Sequence, residues 1–248
     1  MSLFAHQLRA EQLVFWRSRE AAVFIFIFPL MLFVLLGSVY NDTINGHPAP
    51  NVLLAGLLGY GIANTAFAGL TIQLVIRRES GVLKRLRSTP LPQGTYLGAS
   101  LASTLAVFAL QFVGIFVLGL VLFDVDLPSD WVSLLLTSVV GVAAFAGIGL
   151  GAASLIRSAE GSSAVVNVIL LPMAFLSGSF GPTEDFPAFL RAIGDVLPLT
   201  YLIDALEAVY LDDEHVWQQL GSLAVLAAWG LAGLAIAVRR FGWEPRER

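Results

Sequence analysis

The chain has 248 residues and a formal net charge of −4, and 57% of its residues are hydrophobic while only 13% are charged. Its mean hydropathy of +0.79 lies outside the range of soluble globular domains. Because it contains no cysteine, disulfide bonds, thiolate nucleophiles and cysteine-ligated metal sites are excluded.

The first element in chain order is residues 1–20, which we predict to be a helix lying in the membrane interface. Its apolar stripe is formed by Phe4, Leu8, Phe15 and the neighbouring Trp16. Two polar residues, Glu11 and Gln12, interrupt this stripe, so an ordinary polar leader remains an alternative. The segment lacks the pattern of a cleavable signal peptide, since mixed polar and apolar residues fill it before the first apolar run begins.

Six apolar runs follow, and each is long enough to cross about 30 Å of hydrocarbon, which takes roughly 20 helical residues. None of the runs contains Lys, Arg, Asp or Glu. Such helices would need burial on every side in a soluble protein, and a chain of this size cannot enclose six of them. We therefore predict an all-α polytopic membrane protein with a single domain over residues 1–248. The predicted spans are residues 21–40, 52–76, 99–123, 131–156, 162–180 and 220–238.

The basic residues predict how these spans are oriented. When the six runs are threaded through a membrane, thirteen of the fourteen Lys and Arg residues fall on one side and only Arg191 falls on the other. Loops rich in Lys and Arg stay on the cytoplasmic side, so both termini are predicted to be cytoplasmic. We expect a multi-pass protein of the cell (plasma) membrane, with membrane lipids among its partners and no nucleic acid.

Residues 77–97, between the second and third predicted spans, form the most characteristic part of the sequence. They include the basic stretch RRESGVLKRLRSTPLP, in which Val82, Leu83 and Leu86 can share one face of a helix that the prolines then stop. Topology alone requires basic residues in a short cytoplasmic loop, and such residues also attract anionic lipid head groups. Judged by composition alone, the basic residues of this loop need no role beyond orientation and lipid binding.

The segment 181–217, before the last predicted span, is predicted to hold two short amphipathic helices. Asp185 can cap the first of them, with Pro187 in its first turn. The apolar positions are Phe186, Phe189, Leu190 and Ile193 in the first helix and Leu199, Leu202, Leu206 and Tyr210 in the second. Two such helices indicate a re-entrant hairpin dipping into the outer leaflet. A cap lying on the outer surface fits the same periodicity.

The sequence predicts no catalytic chemistry, because HExxH, GxSxG and paired carboxylates within a span are all missing from it. The three histidines are scattered, and Asp124, Asp126 and Asp130 fit a solvated outer turn better than a cation site. We therefore expect no catalytic residue, no metal and no cofactor in this chain. Because the span interiors carry no ionisable residue, ion-coupled transport is disfavoured and a lipid-like or amphipathic cargo is favoured over an ion.

Small and polar residues within the spans are expected to serve helix packing. The amides and hydroxyls of the spans, such as Asn64, more often bond neighbouring helices than a ligand. On the fourth span Ala143, Gly147 and Gly151 form a seam of small residues, which close helix packing explains, and Pro172 in the fifth span indicates a kink.

Taken together, the six spans, the interfacial leader, the loop RESGVLKRLRSTPLP and the outer segment FGPTEDFPAFLRAIGDVLPLTYLIDAL resemble the permease subunit of a type-2 ABC exporter. The resemblance covers nearly the whole chain. Within that family the sequence is most similar to the bacterial and archaeal drug-efflux branch, the daunorubicin-resistance permeases. It implies outward movement of a hydrophobic or amphipathic compound, such as a drug, an antibiotic or a lipid-like molecule. It also implies a second permease copy, identical or paralogous, and a separate ATP-binding subunit that holds ATP and Mg.

The resemblance further implies functional residues. In that family the loop after the second span is a coupling helix that docks on the ATP-binding subunit, and here its residues are Arg78, Glu79, Gly81, Leu83, Lys84, Arg85 and Leu86. The outer hairpin closes an external gate, and here its residues are Phe186, Pro187, Phe189, Leu190, Pro198 and Tyr201. The pathway runs between the two permeases, and the residues lining it here are Asn64, Phe67, Thr71, Asn167, Met173 and Phe175.

The sequence contains no GxxxxGK[ST] phosphate loop, which agrees with an ATPase on a second polypeptide. Two other classes remain as alternatives. One is a secondary carrier driven by an ion gradient, and the other is a membrane scaffold or sensor that binds partners without moving a substrate.

Overall fold

The computed structural model describes residues 2–40, 42–184, 186–240, 242 and 244. Most of these residues are helical, so the all-α prediction is confirmed. A small antiparallel hairpin pairs β1 (Thr43–Ile44) with β2 (His47–Pro48). The helices are α1 (Leu3–Arg17), α2 (Ala22–Val39), α3 (Ala49–Glu79), α4 (Val82–Arg87), α5 (Gln93–Phe123), α6 (Trp131–Leu155), α7 (Ser162–Leu176), α8 (Ala188–Gly194), α9 (Pro198–Tyr210) and α10 (Val216–Arg240).

Five of these helices are long and apolar enough to cross a bilayer, namely α2, α3, α5, α6 and α10. The sixth apolar helix, α7, has 15 residues, which at about 1.5 Å per residue is shorter than a bilayer core. It continues through Pro172 and ends at Leu176, four residues before the predicted boundary, because Gly178 takes a left-handed conformation with φ of 80°. A polytopic membrane protein is thus confirmed, while six spans remain a prediction.

Helix α3 lies at the centre of the fold. In its most apolar 18-residue stretch 89% of the residues are buried, against 17% for α2, although neither stretch carries more than two charges. Two long helices contain a wider π-helical turn, Ala22–Ile27 in α2 and Ala63–Gly69 in α3. The Asn64 side chain donates from Nδ2 to the Phe24 carbonyl at 3.0 Å, and so joins the two π-helical turns.

Glycines allow α6 and α10 to pack backbone against backbone. A Cβ atom added at Gly151 would lie 2.7 Å from the carbonyl oxygen of Gly233, and Gly147 faces Gly230 in the same way. The predicted packing role of Gly147 and Gly151 is therefore confirmed. The prediction for Ala143 is wrong, since that residue is exposed and its neighbour Ala144 contacts α10.

The segment before the last helix contains the two predicted short helices. On α9 the residues Leu199, Leu202 and Leu206 are fully buried, as their spacing predicts. On α8 the corresponding apolar residues are more exposed, with Phe189 at 65%. Pro187 occupies the cap of α8 rather than its first turn, and the predicted cap Asp185 lies outside the described residues. Insertion of this pair into a leaflet remains a prediction.

Candidate functional site

The tight turn between α3 and α4 is set by one glycine. Gly81 has φ of 72°, a left-handed conformation that side-chain-bearing residues rarely adopt, and its amide bonds the Arg78 carbonyl at 3.0 Å. No atom lies within 4 Å of the position where a Cβ would be, so backbone conformation and not space requires glycine here. The turn leaves two residues between the end of α3 and the start of α4.

Helix α4 packs mainly through Leu83, with Leu86 partly buried against the core, and exposes its basic residues. Leu83 is fully buried, whereas Lys84, Arg85 and Arg87 are exposed. The predicted shared face of α4 is therefore anchored by Leu83. Among the described residues, Lys84, Arg85 and Arg87 of this six-residue helix form no ion pair with another side chain. This exposed face can contact a separate, negatively charged surface.

Arg78 is turned into the protein, away from this exposed face. It is only 1% exposed and donates from Nη1 to the Ala153 carbonyl at 2.8 Å and from Nη2 to the Ile156 carbonyl at 2.6 Å. The Ala153 carbonyl is in the last turn of α6 and the Ile156 carbonyl belongs to its C-terminal cap residue. Carbonyls at a helix end have no partner within the helix, and the helix dipole favours a cation there. Its Nε also holds the Glu79 carboxylate at 2.9 Å. Of the residues predicted to couple, Arg78 and Leu83 are thus buried, and the role of the set remains a prediction.

A second polar cluster, not predicted from the sequence, surrounds Glu11 of α1. This carboxylate is 2% exposed and accepts hydrogen bonds from Gln7 at 2.8 Å, Arg77 at 2.7 Å and Gln73 at 3.2 Å. Arg77 uses the same Nη1 to donate to the Tyr96 hydroxyl at 2.9 Å. The cluster, which we call the Glu11 cluster, joins α1 to the end of α3 and the start of α5.

Gln12, the next residue, makes a second polar connection from α1. Its Nε2 donates to the Ser103 carbonyl at 3.0 Å and to the Ser103 hydroxyl at 2.9 Å, and its Oε1 accepts from the Trp16 indole at 3.0 Å. The two polar residues that interrupt the apolar stripe of α1 are therefore the ones that face the bundle. The sequence signal for this role was the position of these two polar residues within an otherwise apolar stripe.

The residues predicted to line a pathway do not form one surface within this chain. Asn64, Phe67, Thr71 and Met173 are buried among neighbouring helices, and Thr71 donates its hydroxyl to the Gly149 carbonyl at 3.1 Å. These contacts favour helix packing for Asn64 and Thr71. On α7 the remaining two residues are exposed; they are Asn167 and Phe175.

The residues predicted to form an outer gate lie around the junction of α8 and α9. Pro187 and Phe189 are exposed, Phe186 and Leu190 are half-buried, and Pro198 is buried. The α8–α9 turn is held by two hydrogen bonds, from the Thr200 hydroxyl to the Gly194 carbonyl at 2.7 Å and from the Tyr201 hydroxyl to the Asp195 carbonyl at 2.9 Å.

Next to this junction is a cavity of about 170 Å³ with several carboxylates in its wall. They are Glu184, Asp195, Asp204 and Glu207. Burial, followed by the nearby charges of Asp204 and Asp212, raises the pKa of Glu207 to about 7. Among the described residues, no group of three or more His, Asp or Glu side chains could hold a metal ion.

Two imidazole–carboxylate pairs fix the loop between α9 and α10. His215 Nδ1 lies 2.8 Å from Asp130 Oδ2, and His47 Nε2 lies 3.3 Å from Asp212 Oδ1. Asp130 also caps α6 by accepting from two backbone amides, and hydrogen bonds from Ser133 first and His215 second hold the pKa of its carboxyl well below its usual range. The aspartate thus serves a structural role at a helix end.

Comparison with known proteins agrees with this arrangement. The ABC-2 type transporter family matches residues 3–211. The chain is 25% identical over 200 residues to the "Putative transport permease YvfS" of Bacillus subtilis (strain 168), which covers 80% of this chain and 81% of that protein. It is 26% identical over 222 residues to the "Putative transport permease ycf38" of Porphyra purpurea, a match that covers 87% of this chain and 75% of that protein.

A third relative is the "Probable multidrug ABC transporter permease YbhR" of Escherichia coli (strain K12), which is 24% identical over 161 residues. This match covers 64% of the chain but only 44% of that relative. Since the family match extends over most of the sequence and five helices can cross a bilayer, the chain belongs to the ABC-2 type transporter family of multi-pass membrane permeases.

Proposed function

We propose that this permease exports a hydrophobic or amphipathic compound and is driven by a separate ATP-binding subunit that docks on α4. One observation carries the proposal. Helix α4 is anchored by the buried Leu83 and by the Gly81 turn, while Lys84, Arg85 and Arg87 point to solvent from a rigid support. A rigid, exposed and basic element is suited to receive force from a partner.

In this proposal ATP and Mg are held by the partner subunit, since the permease sequence has no phosphate loop. Closure of the ATP-binding subunits displaces α4, and the displacement passes to the spans through the continuous helix α3. Glu79 takes part in this transmission of force at the base of α3, where Arg78 fixes its carboxylate. Glu79 retains 20% side-chain exposure and so can also contact the partner.

The proposed orientation places both termini and α4 in the cytoplasm, because thirteen of the fourteen basic residues then lie on that side. It requires α7 to complete a sixth crossing although it has only 15 residues. A short apolar helix can be accommodated by local thinning of the bilayer. The α8–α9 pair then lies at the outer face, where it closes the exit.

The proposal of a hydrophobic or amphipathic cargo is supported by the absence of Lys, Arg, Asp and Glu from the predicted span interiors. The relative YbhR is named a probable multidrug permease, which agrees with an amphipathic cargo. We place the pathway between two permease copies, with the exposed Asn167 and Phe175 of α7 as its lining from this chain.

The test is co-expression of the permease with an ATP-binding subunit encoded beside it, followed by reconstitution into proteoliposomes. The proposal predicts co-purification, ATP-dependent uptake of an amphipathic dye in inside-out vesicles, and loss of both on the double charge reversal Lys84→Glu, Arg85→Glu. The matched control is Arg240→Glu, which reverses an exposed charge at the end of α10, outside α4. Dye transport driven by an ion gradient without ATP, or no transport at all, would overturn the proposal in favour of a carrier or a scaffold.

A further inference from the structure

The buried carboxylate of Glu11 depends on the side chains that surround it. A carboxylate that is 2% exposed is unfavourable unless it is paired with a cation and fully hydrogen-bonded. Here the Arg77 guanidinium supplies the charge at 2.7 Å, and the amides of Gln7 and Gln73 occupy both carboxylate oxygens. Both charges of the pair are therefore fixed in place by the fold.

The partners of Glu11 lie on different helices. Gln73 and Arg77 are on α3, one turn apart, and Tyr96, which shares the Arg77 guanidinium, is in the first turn of α5. Arg77 precedes by four residues the Gly81 turn from which α4 starts. A displacement of α4 that is passed to the base of α3 would thus have to break the Glu11–Arg77 pair or move α1 with it.

A second connection prevents α1 from pivoting about that pair. Gln12 bonds Ser103, two helical turns along α5 from Tyr96. With two separate attachment points on the bundle, α1 is held in both position and direction. This differs from an amphipathic helix attached to the membrane by its apolar face alone.

We infer that Glu11 is a positioning residue for energy coupling: through Arg77 it joins α1 to the base of α3, so that α1 and α4 move as one unit. The inference rests on the proposed function, because the unit has a role in coupling only if α4 receives force from an ATP-binding subunit. Its structural part, the attachment of α1 by the Glu11–Arg77 pair, can be measured without that subunit.

The first experiment measures this attachment by amide hydrogen exchange on the full permease in lipid nanodiscs. Glu11→Gln removes the negative charge but retains a polar group of the same shape, and we expect α1 amides to exchange about tenfold faster or more. Amides of α6 and α10 should be unchanged. The matched control Glu20→Gln, at an exposed carboxylate just beyond α1, should leave α1 exchange as in the wild type.

The second experiment measures coupling in the complete complex with its ATP-binding subunit. Glu11→Gln and Arg77→Gln are each expected to lower transport per ATP hydrolysed by about fivefold or more, and the double variant should be no worse than the single ones because both act on one pair. Arg77→Lys, which keeps the cation, should recover a large part of the ratio. A purely structural role would instead lower the amount of folded complex and leave the ratio unchanged.

The outcomes separate the two proposals. Unchanged α1 exchange in Glu11→Gln, or faster exchange with an unchanged transport-to-ATP ratio, overturns the inference. If the wild-type permease binds no ATPase, the proposed function fails even when the exchange result is as expected. Should Glu11→Gln not fold, Tyr96→Phe removes a single hydroxyl from the cluster, and normal α1 exchange together with normal coupling in that variant counts against the inference.

Discussion

Arg77 and Arg78 are adjacent in sequence but bind different parts of the protein. Arg77 pairs with Glu11 of α1 at 2.7 Å, while Arg78 donates to the Ala153 and Ile156 carbonyls at the end of α6. The base of α3 is therefore fixed to α1 and α6 by two consecutive side chains. Directly beyond it lies the Gly81 turn that starts α4.

The helix-capping role of Arg78 can be tested by Arg78→Ala. The substitution removes the Arg78 donors from two carbonyls at the C-terminal end of α6, a charge-assisted interaction worth about 1.5–3 kcal/mol. The thermal midpoint of the detergent-solubilised permease should fall clearly. Arg85→Ala is the matched control, because Arg85 is exposed and surface substitutions change stability by only about 0.5 kcal/mol. Equal midpoints for the two variants would contradict the assignment.

The conformation of Gly81 predicts a specific effect of Gly81→Ala. A side chain in the left-handed region costs about 1–2 kcal/mol, so α4 should become less ordered and export should decline. Gly94→Ala provides the control, since Gly94 is helical, has an ordinary φ and also has no atom near its missing Cβ. If both alanine variants exported equally well, the Gly81 turn would not be required for coupling.

The glycine contact between α6 and α10 predicts that Gly151→Val destabilises the bundle. Its Cβ would approach the Gly233 carbonyl to 2.7 Å, and overpacking of this kind costs about 1–3 kcal/mol. Gly221→Ala, at a position of α10 with open space, should be neutral or slightly stabilising. The comparison is made by thermal unfolding in detergent, and a stable Gly151→Val variant would contradict the close packing.

The pKa of Glu207 predicts how stability depends on pH. Folding raises this pKa from 4.5 to about 7, so the folded protein binds a proton that the unfolded chain releases between those values. The contribution is therefore favourable at low pH and is lost as pH rises through about 7. Between pH 6 and pH 8 the wild type should lose more thermal stability than Glu207→Gln, whereas Asp213→Asn, at an exposed carboxylate, should behave as the wild type.

The long helices and the buried face of α9 were predictable from sequence because their apolar residues repeat with helical spacing over many turns. Leu199, Leu202 and Leu206 are buried for this reason. The end of α7 was not predictable from hydropathy, since Gly178 is as compatible with an apolar run as with a helix end. Only its left-handed conformation distinguishes the two.

The polar connections were harder to predict, because they depend on which helices come together. Glu11 and Gln12 interrupted a periodic pattern, but the sequence did not show that their partners on other helices lie 62 to 91 residues away. Arg78 likewise belongs to a basic stretch whose other members Lys84 and Arg85 are exposed, so the stretch itself did not indicate that Arg78 is buried. Its burial follows from the position of the α6 terminus, which is a tertiary contact.

The central claim is that α4 faces the cytoplasm and binds an ATP-binding subunit. Since the chain has no cysteine of its own, single variants Arg85→Cys and Phe189→Cys can be labelled and cross-linked without background. The account predicts that Arg85→Cys reacts with an impermeant thiol reagent only in opened cells and cross-links to the ATP-binding subunit, whereas Phe189→Cys reacts in intact cells. Labelling of Arg85→Cys from outside, or no cross-link to any ATPase in the isolated complex, would contradict it.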